Sequence, residues 1–142
     1  MKCTIRSARL EDTKVIHHFM CALTEKELDY DTFAQCLETN VGKEHYYHLI
    51  AEVDNKPVGI ITCYGFISLH HCGLEYEIQE LFVEEDYRSH KIGKKLLAAA
   101  EEITGARESL KLCSNVRRKD AHRFYLNNGF EQTGYRFIKC RN

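Results

Sequence analysis

The chain has 142 residues, 44% hydrophobic and 29% charged, with a net charge of −1. That suits a single domain spanning 1–142, long enough to fold on a hydrophobic core without covalent staples. Near-neutrality excludes a global electrostatic partner such as nucleic acid or a membrane surface, so any electrostatic function must come from local patches.

The seven cysteines are odd in number and contain no Cys-x-x-Cys, which argues against a disulfide framework or a zinc cluster. No apolar h-region opens the chain, and no run approaches about 18 apolar residues. The expectation is reduced thiols in the cytoplasm.

TIRSAR (4–9) reads as a short first strand. Over 11–27, Val15, Ile16, Phe19, Met20 and Leu23 fall at helical spacing, with Asp12 or Thr13 as N-cap. A second helix is expected over 30–40 on the apolar face of Phe33, Cys36 and Leu37. YYHLIAEV (46–53) and VGIITCYGFI (58–67) flank the turn DNKP and read as a hairpin. LEYEIQELFV (74–83) is a third strand of the run, followed by a helix over about 91–104. SLKLCS (109–114) is strand-like, 119–127 a short helix ended by Asn128-Gly129, and 130–140 a closing strand. This order predicts an α/β (α+β) fold with a mixed, mostly antiparallel sheet and about four helices on both faces.

EIQELFV breaks strict alternation, because Ile78 and Leu81 are three apart and 81–83 are all apolar. Either the strand is buried on both faces, or a β-bulge near Gln79-Glu80 switches its side-chain phase. Glu77 and Glu80 sit awkwardly in a doubly buried strand, since a buried carboxylate needs a partner. The next stretch, YRSHKIGKKLL (87–97), crowds Arg88, Lys91, Lys94 and Lys95 around a helix start. A helix N-terminus already carries positive charge, so further cations are unfavourable unless an anion sits in front. Strand, basic loop, Gly93 and helix start are the parts of a phosphate-binding site; a solvated charged face is the alternative.

LFVEEDYRSHKIGKKLL resembles the acetyl-CoA-binding segment of the GNAT acyltransferases, whose Arg/Gln-x-x-Gly-x-Gly/Ala pattern falls on Arg88, Ser89, His90, Lys91, Ile92 and Gly93. The first motif glycine is Lys91 here, which must then adopt a conformation that glycine makes easy. DAHRFYLNNGF (120–130) is similar to the family's Ala-x-x-Phe-Tyr-x-x-x-Gly-Phe helix. SLHHCGLEYEIQELFV, SNVRRKDAHRFYLNNGFEQ and the terminal YRFIK together resemble the bacterial aminoalkylphosphonate N-acetyltransferases over nearly the whole chain.

The resemblance implies a sheet of six or seven strands and direct acetyl transfer from acetyl-CoA to a small primary amine, an aminoalkylphosphonate in the narrower assignment. It implies Tyr125 as the acid that reprotonates the thiolate, and Glu80 or Glu77 as the base. Leu81, Phe82 and Val83 would hold the pantetheine arm. Arg88, Ser89, His90, Lys91, Ile92, Gly93 and Lys94 would hold the pyrophosphate, with Asn115 and His122 on the other wall. Acceptor contacts are expected from Glu27, His70, His71 and Arg118.

Adjacent residues on a strand point to opposite faces, so His70 and His71 are not expected to share one ion. With an acidic partner, one of them could ligate. No metal ligand set is assigned, and a divalent metal is left open. Two other readings stand beside this one: a GNAT enzyme for another amine (polyamine, aminoglycoside or protein N-terminus), and an acyl-CoA sensor without turnover. Homodimer formation through the C-terminal strand is also open.

Overall fold

The computed structural model describes residues 1–105 and 110–139. Two compact units divide the chain, Met1–Lys111 and Leu112–Asn142.

The first unit is built on a sheet in the order β1-β2-β3-β4-β5. The strands are β1 (Cys3–Ser7), β2 (Tyr46–Val53), β3 (Lys56–Ser68), β4 (Gly73–Val83) and β5 (Leu110–Leu112). From β1 to β4 all neighbours are antiparallel. The β2–β3 turn places Asp54 and Asn55 at φ 50° and 67°, the left-handed pair that suits the strands' right-handed twist.

The helices are α1 (Thr13–Thr24), α2 (Tyr30–Asn40) and α3 (Ile92–Thr104). Asp29 caps α2, accepting from the Thr32 N–H at 3.0 Å. Arg6 on β1 donates two 2.8 Å hydrogen bonds to Asp12 ahead of α1. That guanidinium holds the Asp12 carboxyl below the usual carboxylate range.

Each face of the sheet packs on its own helices. Ile16, Phe19 and Met20 of α1 and Leu37 of α2 form one core with Ile50, Ile60 and Phe82 of the strands. On the other face lies α3, with Ile92, Leu96, Leu97 and Ala100 buried. There a Cβ on Gly59 would sit 2.8 Å from the Phe82 carbonyl oxygen and 3.3 Å from Leu96 Cδ1. Glycine is what lets β3 run that close to β4 and α3.

The second unit contains α4 (Lys119–Asn127), with Arg118 preceding it and Gly129 at φ 90° following Asn128. Phe130 N–H returns to the Tyr125 carbonyl at 3.0 Å.

The helices and the hairpin form where the periodicity places them, though α1 is shorter than 11–27. Two expectations are corrected. The sheet has five strands among the described residues, not six or seven. The segment 130–139 takes no strand conformation, and Tyr135, Phe137 and Ile138 are 86%, 90% and 69% exposed. Local alternation makes a strand only where a neighbouring strand takes up its N–H and C=O groups. Ser109 and Cys140, the ends of two expected strands, lie outside the described residues.

Candidate active site

The β3–β4 pairing runs Ile61↔Leu81 and Thr62↔Glu80, then jumps to Cys63↔Ile78 and Tyr64↔Glu77. Gln79 is therefore the extra residue of a β-bulge, the second of the two readings left open by the spacing of Ile78 and Leu81; the adjacent Phe82 and Val83 are also both buried, so the end of the strand is covered on both faces. The bulge resets the alternation, so Glu77 and Glu80, three apart in sequence, come to the same face. Opposite them, β2 supplies His48↔Thr62 and Tyr46↔Tyr64. Two transverse rows result: His48, Thr62, Glu80 and Tyr46, Tyr64, Glu77.

All of these but Glu77 line a cleft of about 270 Å³ walled by Asn40, Tyr46, His48, Thr62, Cys63, Tyr64, Gln79 and Glu80. Glu80 is held by Thr62 from two sides. The Thr62 hydroxyl donates to Glu80 Oε1, and the Glu80 N–H donates to Thr62 Oγ1 at 3.1 Å. Burial pushes the Glu80 carboxyl above its ordinary value, and the Thr62 bond opposes part of that shift. Glu77 accepts a longer bond, 3.3 Å, from the Tyr64 hydroxyl. Burial lowers the His48 pKa, which keeps its imidazole neutral in the cleft wall. It also pushes the Cys63 thiol up to about 11, leaving an unreactive wall residue.

Past Val83, a turn of 3₁₀ helix over Glu85–His90 leads into α3. Lys91 stands between them at φ 59°, ψ 24°, the left-handed conformation expected where the resembling pattern has glycine. A left-handed residue followed by a helix start turns successive N–H groups toward one point, an anion-binding nest. Gly93 and the exposed Lys94 follow in the first turn. Arg88 is directed back along β4: its Nε donates to the Val83 carbonyl at 2.8 Å, and its guanidinium lies 5.7 Å from the Phe82 ring centroid. Ser89 and His90 are exposed in the same turn, while Leu81 is half-buried and Phe82 and Val83 are buried.

Within the second unit, Tyr125 is partly buried, its ring edge-on to Phe130 at 5.7 Å. Burial raises its phenol pKa, and Arg118 pulls slightly the other way. His122 Nε2 donates to the Asn115 carbonyl at 2.8 Å, and Asn115 Oδ1 accepts from the Arg117 N–H at 2.9 Å. These contacts fix the loop that leads into α4.

The expected acceptor residues fare differently. Glu27 is exposed beside His17 and Cys21 and is absent from the cleft wall. Arg118 is exposed at the start of α4. His70 and His71 correct the sequence reading: they occupy a turn, not a strand, and their rings lie side by side at 4.1 Å. Opposite-face geometry applies only to a pleated backbone. Asn40, Tyr46, His48, Thr62 and Tyr64 were not found from the sequence. Their signal is the register of β2 with β3, which no local pattern carries.

Among the described residues, no helix is long and apolar enough to cross a membrane. Cys3, Cys21, Cys36, Cys63, Cys72 and Cys113 are free thiols.

Comparison with known proteins gives the same architecture. The acetyltransferase (GNAT) domain family matches residues 44–132. The aminoalkylphosphonate N-acetyltransferase of Salmonella typhimurium is 38% identical over 97% of this chain and 91% of its own length. The aminoglycoside 6′-N-acetyltransferase AAC(6′)-Ih of Acinetobacter baumannii superimposes at TM-score 0.84 with 14% identity, over 99% of both chains. AAC(6′)-Iy, solved in complex with CoA, superimposes at 0.84 with 19% identity, over 99% of this chain and 95% of its own. With a bulged fourth strand, a basic nest before α3 and a family match spanning both, this chain belongs to the GNAT family and is an acyltransferase.

Proposed function

We propose that the protein transfers the acetyl group of acetyl-CoA to the primary amine of a small aminoalkylphosphonate, with Glu80 as base and Tyr125 as acid. The observation that carries the base assignment is the bulge at Gln79, which delivers a desolvated carboxylate into a cleft with one oxygen already anchored by Thr62. An aminoalkyl group is protonated at neutral pH and must lose a proton before it can attack. A carboxylate with a raised pKa suits that exchange better than an exposed one. Glu77, on the same face, has the longer hydrogen bond and no comparable anchor; it is the acceptor-binding carboxylate in this reading.

The neutral amine attacks the thioester carbonyl, the C–N bond forms and the C–S bond breaks. The amine proton passes to Glu80, directly or through water, and the departing thiolate takes the Tyr125 proton. The Lys91 nest, Gly93, Lys94 and the loop from Arg88 would hold the pyrophosphate, and the Leu81–Val83 backbone the pantetheine arm. GNAT acetyltransferases use acetyl-CoA, and the left-handed Lys91 fits that use because it turns N–H groups outward at the point where the helix charge is greatest. The phosphonate assignment is supported by the name of the Salmonella relative.

The test is a free-thiol assay with 2-aminoethylphosphonate, spermidine and an aminoglycoside as acceptors. Acetylation of the phosphonate at the highest kcat/KM is expected. A preference for spermidine or the aminoglycoside would overturn the acceptor assignment while leaving acetyl transfer intact. Acetyl-CoA binding without thiol release from any amine would reduce the protein to a sensor.

A further inference from the structure

One wall of the cleft carries a cation that the acetyl-transfer chemistry does not use. We propose that Lys43, with the Asn40 amide and the Tyr46 hydroxyl, forms the anion-recognising end of the acceptor site, so that the cleft selects a small amine bearing an acidic group a few carbons from the nitrogen. This deepens the acetyl-transfer reading and rests on it for the place of the amine, at Glu80 and Glu77.

Lys43 lies in the connection between α2 and β2, and the residues on either side of it, Asn40 and Tyr46, both wall the cleft. Backbone hydrogen bonds fix that connection. The Lys43 N–H donates to the Asn40 carbonyl and the Tyr46 N–H to the Lys43 carbonyl, both at 3.1 Å. The ammonium stands 5.0 Å from the Tyr46 ring centroid, a cation–π contact that holds the charge beside the cleft. Among the described residues this ammonium has no carboxylate partner. The neighbouring Glu44 is 88% exposed and lies against His45 instead.

The carboxylates stand on the opposite side. Tyr46 pairs with Tyr64, and Tyr64 with Glu77, so two strand spacings, about 10 Å, separate the β2 and β4 backbones. Side chains reaching inward from both strands leave room for one small molecule. A short zwitterion satisfies both walls at once, with its ammonium at the carboxylates and its oxyanion at Lys43. A diamine or polyamine would bring a second cation against Lys43, and that repulsion selects against it.

A second lysine on the same face shows the contrast. The aromatic row continues from Tyr46 through Tyr64 to Phe66, at 5.7 and 5.6 Å between centroids. Lys111 covers its far end, 4.9 Å from the Phe66 centroid. That ammonium already donates to Glu75 Oε2 at 3.3 Å, and Glu75 also pairs with His71. Of the two lysines, Lys43 is the one whose charge is uncommitted.

Calorimetry on the full-length protein in saturating CoA reads this directly, with 2-aminoethylphosphonate, its neutral diethyl ester and putrescine as ligands. The acid is expected to bind at least about tenfold more tightly than the ester. Lys43→Met should erase that ratio and Lys43→Arg should keep most of it. Lys56→Met, in the turn at the opposite end of the β2–β3 hairpin, should leave it unchanged. Lys43→Glu should reverse the preference toward putrescine. In turnover, Lys43→Met should raise KM for the acid with kcat little changed and leave the ester unaffected, a split that a merely structural lysine does not produce. Equal binding of acid and ester by the parent protein, or a ratio that survives in Lys43→Met, would overturn the assignment. Acid-selective binding that depends on Lys43 but releases no thiol from acetyl-CoA would uphold it and overturn acetyl transfer instead.

Discussion

The two units of the chain hold the residues proposed as base and acid by different means. In the first, Glu80 sits on a central strand, paired on β3, capped by Thr62 and backed by a core in which Ile50 and Ile60 are fully buried. In the second, Tyr125 sits on the nine-residue helix α4, which buries none of its residues completely. A carboxylate that must keep a shifted pKa needs a fixed, partly dry environment, and a sheet core supplies it. A phenol that only has to donate a proton to a departing thiolate can work from a less densely packed element. The difference teaches that the carboxylate proposed as base is placed by register, and the phenol proposed as acid by one turn of helix and one ring contact.

The largest expected effect breaks the first half of that comparison. Glu80→Gln should lower kcat/KM by about 10²–10⁴-fold, the usual contribution of a positioned base, with the fold retained by circular dichroism. An equal loss in Glu77→Gln with little loss in Glu80→Gln would exchange their roles. Tyr125→Phe should come next, lowering kcat by about 10²-fold while acetyl-CoA affinity changes little. Equal losses in both would mean that the ring only packs against Phe130.

Gly59→Ala probes the rigidity of the sheet. Its new Cβ would meet a backbone oxygen at 2.8 Å, and a loss of about 1–3 kcal/mol is expected in urea unfolding. Hydrogen exchange extends the contrast. The amides of Ile60, Ile61 and Ile78 should exchange only through global opening, and those of α4 through local opening. Equal protection in both regions would remove the distinction drawn here.

The pH dependence follows from the sign of the Glu80 shift. Its folded pKa is raised, so the protonated form is favoured by folding. The associated stability is full below the unfolded value and is lost as pH rises through the folded one. Glu80→Gln should therefore melt higher than the parent protein at neutral pH, with the gap closing in acid. Activity runs the other way, because the base must be ionised; the acid limb of the rate profile should lie above the ordinary carboxylate range. Thr62→Val removes the contact that holds the shift down, so its acid limb should move further up.

The smallest effect is expected for Lys91→Gly, which relieves a left-handed residue but frees the unfolded chain. The two oppose each other, and the net should be about 1 kcal/mol or less in thermal unfolding.

Much of this was legible before any coordinates. The spacing of Ile78 and Leu81 left a doubly buried strand and a bulge both open, and the register with β3 shows the bulge at Gln79. A lysine in place of a motif glycine announced a strained backbone, which Lys91 shows. Helix α2 runs over the 30–40 that its apolar spacing predicted. His70 and His71 are read from the sequence as neighbours on a strand although the strand reading stops at 67; they lie in the turn that follows β3 at Ser68.

Local chemistry determined the elements: apolar periodicity, caps and turn residues act over a few positions, and all of them are written in neighbouring residues. Tertiary structure alone decided that His48, Thr62 and Glu80 share one row, that Glu75 loses its solvent, and that 130–139 remains without a strand partner. Each of those depends on pairing between segments far apart in the chain, where a slip of one residue would turn every side chain to the opposite face.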